Sequence, residues 1–100
     1  MEKRAAHYDL ALAQADVARL GVAAFTKTAL DGGRAMGLTS AEMLNVIAAL
    51  TRRNFYKSMT THADHRVWQD VHHSPTPVRR EAYIKITRHG ATVVIQFKER

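Results

Sequence analysis

The chain has 100 residues, 46% of them hydrophobic and none of them cysteine. That length holds one domain around a single core. The lack of cysteine excludes disulfides and thiolate metal sites, which fits a reducing compartment. Lys and Arg outnumber Asp and Glu by 15 to 9, for a formal charge of +6 and a sequence pI near 10.2.

The charge is unevenly placed. Residues 1–50 carry Lys3, Arg4, Arg19, Lys27 and Arg34 against Glu2, Asp9, Asp16, Asp31 and Glu42, so the whole excess lies in residues 51–100. One strongly basic half is the electrostatic footprint of a nucleic-acid binder. The alternatives are a solvated basic face on an ordinary soluble domain and an anionic membrane surface. No basic amphipathic helix or apolar bilayer-spanning stretch supports the membrane reading. Met1-Glu2-Lys3-Arg4 lacks the apolar core of a signal peptide, so a cytoplasmic location is expected.

Helices come first. Leu10, Ala13, Val17 and Leu20 recur at helical spacing, with Asp9 as N-cap and Gly21 as terminator. Val22–Phe25 suits a short edge strand. A second helix is predicted from near Thr28, with Asp31 three residues on, to Gly37, although Gly32-Gly33 weakens it. The third is the clearest: Thr39-Ser40-Ala41-Glu42 has capping-box form, and Met43, Val46, Ile47 and Leu50 make one apolar stripe. These stripes read as core. The expected fold is α+β, with three N-terminal helices packed on one apolar face of a largely antiparallel sheet.

The sheet half ends in a hairpin. Residues 81–88 and 91–98 alternate, and His89-Gly90 between them reads as a two-residue turn. That turn sets Ala82, Ile84 and Ile86 opposite Phe97, Ile95 and Val93, so both apolar rows fall on one face. The polar face then carries Tyr83 and Lys85, and Tyr83 and Lys98 become diagonal neighbours, about 7–8 Å apart between backbones. A phenol and an ammonium converge there.

Residues 55–70 are richer still, with Phe55-Tyr56-Lys57-Ser58-Met59-Thr60-Thr61, His62-Ala63-Asp64-His65 and Val67-Trp68-Gln69-Asp70. So many cations beside rings, in segments that read as strands, suit a surface that grips a polyanion. Alternation leaves one point open. Gln69 shares parity with Val67 and Val71, and Lys57 with Phe55 and Met59, which would turn both polar residues inward. Either Trp68 and Tyr56 mark the core side, or a bulge or strand end re-aims the polar side chains.

The run FYKSMTTHADHRVWQDV, with MEKR at the start, YIKIT later and FKER at the end, resembles the MqsR (motility quorum-sensing regulator) toxins. The resemblance spans essentially the whole chain and is most specific in residues 55–71. It implies a RelE-like fold and ribosome-independent cleavage of single-stranded mRNA at GC-containing, GCU-like sites, inhibiting translation and growth. It also implies restraint by a cognate zinc-binding MqsA-type antitoxin. By resemblance the catalytic positions are Lys57, Gln69, Tyr83 and Lys98. His7 falls where the family often has a histidine. The family's WQDVY is WQDVH here, with His72, and the His73–Arg80 loop departs from the family as well.

The chemistry suits these residue types. RNA carries its own nucleophile, so a nuclease has only to deprotonate the 2′-hydroxyl, stabilise the phosphorane and protonate the leaving 5′-oxygen. Lys57 and Lys98 can neutralise the developing phosphoryl charge, and Lys98 beside Lys85 could have a lowered pKa. Tyr83 can stack on a base or hold a proton-transfer position, and Gln69 can hydrogen-bond phosphate or base. Arg53, Tyr56, Arg66 and Lys85 are the expected further RNA contacts. Neither metal nor cofactor is expected, since the H-x-x-H of His62 and His65, even with His72 and His73, matches no standard zinc pattern. The competing readings are a non-catalytic RNA-binding module and a regulatory adaptor whose basic face binds an acidic protein.

Overall fold

A computed structural model describes residues 1–100 as a five-stranded sheet with three helices on one side. The strands are β1 (Glu2–Lys3), β2 (Phe55–Thr60), β3 (Trp68–Ser74), β4 (Ala82–His89) and β5 (Thr92–Glu99). They lie in sequence order, and every neighbouring pair is antiparallel. The helices are α1 (Leu10–Leu20), α2 (Lys27–Met36) and α3 (Ser40–Ala49). This is the α+β arrangement expected from the pattern. The two-residue β1 carried no signal of its own.

Caps define the helices. Asp9 accepts from the Leu12 N–H at 3.1 Å. Thr39 and Glu42 form the anticipated box, each side chain bonding the other's backbone N–H, at 3.1 and 2.9 Å. The second helix starts at Lys27, next to the expected Thr28, and its cap is Thr26, whose hydroxyl accepts from the Ala29 N–H at 3.0 Å. The reason lies in the preceding residue. Phe25 makes a single parallel bridge to Ile95 on the outer edge of β5, and the Thr26 N–H donates to the Ile95 carbonyl at 3.1 Å. The chain leaves the sheet at that point and turns directly into the helix. Consequently the segment before it is no edge strand. Gly21–Ala24 is a 3₁₀ turn that buries Ala24.

Glycine at position 32 has a steric role. A Cβ built there would stand 2.4 Å from the Phe97 carbonyl oxygen, so only glycine lets α2 lie this close to β5. Seventeen buried apolar residues from all three helices, β4, β5 and the connections between helices make one core, including Met43, Ile47, Ile84, Ile86, Ile95 and Phe97. Gln14 of α1 donates to the carbonyls of Ile47, Ala48 and Leu50, between 2.9 and 3.2 Å, satisfying the open C-terminal end of α3.

The hairpin keeps the expected faces but not the expected register. Tyr83 is directly opposite Lys98, and His89 opposite Thr92, so the two-residue turn is Gly90-Ala91. Of these two residues only Gly90 has positive φ, +60°. That is the demand of a type II′ turn, which wants glycine in its first central position. A His89-Gly90 turn would have placed glycine second. Moving the turn by one residue shifts pairing by two and leaves each side chain on its face.

On the helix side of the sheet, Asp70 is 2% exposed. Its carboxylate accepts from the N–H groups of His7 and Tyr8 at 2.9–3.0 Å and from the Ser58 hydroxyl at 2.6 Å. His72, next on the same side, is also buried; its ring meets Phe55 edge-on, and Nδ1 has no hydrogen-bond partner. Burial pushes its pKa down, with Asp70 partly opposing.

Asp70→Ala strands two backbone donors and a hydroxyl at once. It should lower the unfolding free energy by about 3 kcal/mol or more, measured by urea titration. For His72 the sign is fixed by its depressed pKa. The unfolded chain, with histidine near pKa ~6.5, binds the proton more readily. Stability is therefore complete above that value and falls as pH drops through it towards the folded pKa. Thermal midpoints should decline from pH 7.5 to 5.5, and less steeply in His72→Phe.

Candidate active site

The sheet face turned away from the helices carries the candidate residues, and cross-strand register decides which of them meet. In one row, Tyr83 of β4 lies between His73 of β3 and Lys98 of β5. In the next, Val71 lies between Lys57 of β2 and Lys85 of β4, and Gln96 of β5 extends the line. Met59 and Gln69 are paired in a third. Val71 is fully buried yet stands outside the helix-side core. Lys57, its neighbour, has a side chain only 22% exposed, so its aliphatic stem lies along the face while the ammonium stays at the surface.

Lys57 reaches this face through a bulge. Phe55 pairs with His72 but Lys57 pairs with Val71, leaving Tyr56 as the extra residue. Phe55 turns to the helix side, and Tyr56 and Lys57 both face outward. On β3 plain alternation suffices. Trp68, Asp70 and His72 take the helix side, where Trp68 stacks on His7 at 5.5 Å with the Lys3 ammonium 4.2 Å from its ring. Gln69, Val71 and His73 take the open side. The two strands thus solve the parity problem differently, one by a bulge and the other by placing the tryptophan inward.

The outer row is a file of rings ending in a cation. Tyr56 stacks on His73 with 4.4 Å between centroids and 25° between planes. His73 lies 5.4 Å from Tyr83 at 39°. The Lys98 ammonium is 5.3 Å from the Tyr83 ring, and that of Lys57 is 5.5 Å from the Tyr56 ring. Such cation–ring contacts hold lysine ammoniums over the face without neutralising them.

The charges differ in their surroundings. Lys57 is ion-paired with Glu2 of β1. The hydrogen bond and charge of that carboxylate raise the Lys57 pKa, and the lysine in turn lowers that of Glu2, so Lys57 is held as an ammonium. The Lys85 pKa is lowered, through burial first and the neighbouring Lys98 charge second. His73 is also lowered, mainly by burial and further by Arg100, which favours its neutral form, and its Nε2 is buried without a partner.

The remaining candidates lie around this centre. Gln69 is on the open face but 7% exposed, so little of it reaches the surface. Arg53 sits exposed in the 3₁₀ turn Arg52–Asn54 that leads into β2, at the Tyr56 end of the ring file. Arg66 is in the β2–β3 loop at the other end of β2, bound to Asp64 at 3.0 Å, and is not brought beside the rings. The histidines do not converge. His62 and His65 are exposed on that loop, His72 and His73 point to opposite faces, and no group of three or more His, Cys, Asp or Glu is arranged to hold a metal ion.

Two members of the site escaped sequence reasoning. Glu2 joins it only because β1 closes against β2 from more than fifty residues away, which no local pattern announces. His73 was visible as a histidine, but its place between two tyrosines requires the β3–β4 register.

The chain as a whole resembles known proteins. The chain is 39% identical over 100 residues to the mRNA interferase toxin MqsR of Escherichia coli (strain K12), across the whole length of both. Residues 5–99 match the family described as motility quorum-sensing regulator, toxin of MqsA. On both counts the chain belongs to the motility quorum-sensing regulator family of toxins.

Proposed function

We propose that this protein is an endoribonuclease toxin of a toxin–antitoxin pair that cleaves single-stranded mRNA on the open sheet face, without a metal and without the ribosome. The observation that carries this reading is the file Tyr56–His73–Tyr83–Lys98 flanked by Lys57 and Lys85, on one face of a chain from a toxin family. Family resemblance supports the finer points: GC-containing, GCU-like target sites, a cytoplasmic setting and restraint by a zinc-binding MqsA-type antitoxin.

The reaction needs few parts. The 2′-hydroxyl oxygen bonds to the adjacent phosphorus as its proton is removed, the bond to the 5′-oxygen breaks, and that oxygen takes up a proton. Lys57 and Lys98 neutralise charge that builds on the phosphoryl oxygens, the contribution that usually dominates such catalysis. Lys57 suits this role better than that of a base, because Glu2 keeps it protonated. An incoming phosphate competes with Glu2 for it. Tyr83, bracketed by His73 and Lys98, occupies the proton-transfer position. Tyr56 and His73 offer ring faces to unstacked bases, and Gln69 supplies an amide for substrate positioning.

Incubation with a defined mRNA in excess EDTA should yield fragments ending in a 2′,3′-cyclic phosphate and beginning with a 5′-hydroxyl. Activity lost on chelation and restored by a divalent ion would argue against a lysine-based site. Full retention of intact RNA would favour the non-catalytic RNA-binding reading.

Lys57→Ala, Tyr83→Phe and Lys98→Ala should each reduce cleavage at least about ten-fold, since each removes a charge or proton from the transition state. Circular dichroism should show that the fold survives, because none of the three lies in the helix-side core. Gln69→Ala should be milder.

Binding of an inactive variant to single-stranded RNA should weaken with salt at a slope of roughly −2 to −3.5 in log K against log salt, about −0.7 for each neutralised phosphate. Charge removal at Arg52, Arg53, Lys57, Lys85 or Lys98 should reduce the slope, whereas removal at Arg66, which is paired with Asp64 away from the rings, should change it little. Removal at Lys3, Arg19 or Lys27 should leave it nearly unchanged. A salt-insensitive interaction would favour the adaptor reading.

A further inference from the structure

The ring file does not end on a flat surface. Beyond Tyr83 and Lys98 the open face drops into a cleft of about 370 Å³ between β4–β5 and the first turn of α2. That volume is within the range of roughly 300–1,000 Å³ typical of small-ligand sites. Its sheet wall is made by Tyr83, Lys85, Gln96 and Lys98, and its opposite wall by Thr26 and Thr28. The cleft exists because Thr26 leaves the β5 edge and turns at once into α2, so the helix start stands beside the sheet face.

The chemistry of the lining is selective. Lys85 and Lys98 are close enough for one charge to lower the pKa of the other, and neither takes part in any of the ion pairs that tie up Lys57, Arg66 or Arg88. Two uncompensated ammoniums at one cleft favour an anion. Thr26 is engaged as the cap of α2. Thr28 and Gln96 are exposed and carry one hydroxyl and one amide, which can both donate and accept. Tyr83 presents a ring. A nucleotide offers matching features: a phosphate for the ammoniums, a planar base for the ring, and the donor–acceptor edge of that base for the amide and hydroxyl.

We infer that this cleft is a nucleotide subsite for the RNA unit next to the scissile phosphate, with Lys85 and Lys98 on its phosphate and Gln96 and Thr28 reading its base edge. It rests on the nuclease reading above and adds to it a source of sequence preference outside the four candidate catalytic residues. Amides read base edges through paired donor and acceptor contacts, and each such pairing supplies about ten-fold or more of discrimination.

The test is cleavage of an RNA library randomised around the cut site, with fragment ends sequenced for the wild type, Gln96→Ala, Thr28→Val and Lys85→Met. The wild type should show a base preference at positions flanking the cut. Gln96→Ala should narrow that preference about ten-fold at a single flanking position and leave the other positions as they were. Thr28→Val should act at the same position, and more weakly. Lys85→Met should slow cleavage of all sequences alike and lessen the salt slope by about 0.7, the share of one phosphate.

Unchanged preferences in Gln96→Ala and Thr28→Val, with cleavage intact, would overturn the subsite while sparing the nuclease reading. An equal loss on every sequence in those two variants would also overturn the base-reading role. A wild-type protein that leaves the library uncut would overturn both together.

Discussion

The carboxylate of Asp70 is the contact on which the site's geometry depends. It lies buried on the helix side of β3 and takes three donors from two distant places, the N–H groups of His7 and Tyr8 and the hydroxyl of Ser58. Charge-assisted bonds of this kind are among the stronger ones in a protein. By tying the start of the chain to β3 and β3 to β2, this one group fixes where β1 lies. β1 carries Glu2 onto Lys57. A buried carboxylate on one side of the sheet thereby helps to fix the ion pair made by a lysine on the other.

The open face follows from register in the same way. No candidate side chain in the ring file is held by a loop. Each projects from a strand whose partners are fixed by core packing behind it, so His73, Tyr83 and Lys98 stand in line because Ser74 is matched with Ala82, and Ile84 with Phe97, in the adjacent pairs. Rigid elements make more accurate sites than mobile ones. The apolar layer therefore does chemical service at one remove: it holds three strands in step, and the step aligns the rings.

Much of this was legible in the sequence because local rules govern it. The capping box at Thr39, the cap at Asp9, the apolar stripes and the alternation of β4 and β5 all involve residues a few positions apart, and they gave the helices and the face assignment of Tyr83 and Lys98. The misses share a cause. Val22–Phe25 is no edge strand: it is a 3₁₀ turn up to Ala24, and only Phe25 docks on β5, a contact seventy residues away in sequence. The turn moved to Gly90-Ala91 because backbone twist dictates which turn position glycine must occupy. The candidate catalytic set itself came from family resemblance, and alternation alone could not have aimed Lys57 or Gln69. Glu2 and His73 are neighbours of that set only through pairing across strands.

The bulge at Tyr56 gives the Phe55–Lys57 segment a property that side-chain chemistry does not capture. Two consecutive side chains face one way there, so the segment is one residue longer than its partner requires. The extra residue leaves the faces on either side of it undisturbed. Deleting Tyr56 would set Phe55 and Lys57 next to each other opposite His72 and Val71, each on the face it holds now. What a deletion removes is the additional ring, which plain alternation could not place on the open face beside Lys57. The bulge thus adds a side chain to one face at no cost to register, and a one-residue deletion there should spare the pairing of the strands while shortening the ring file.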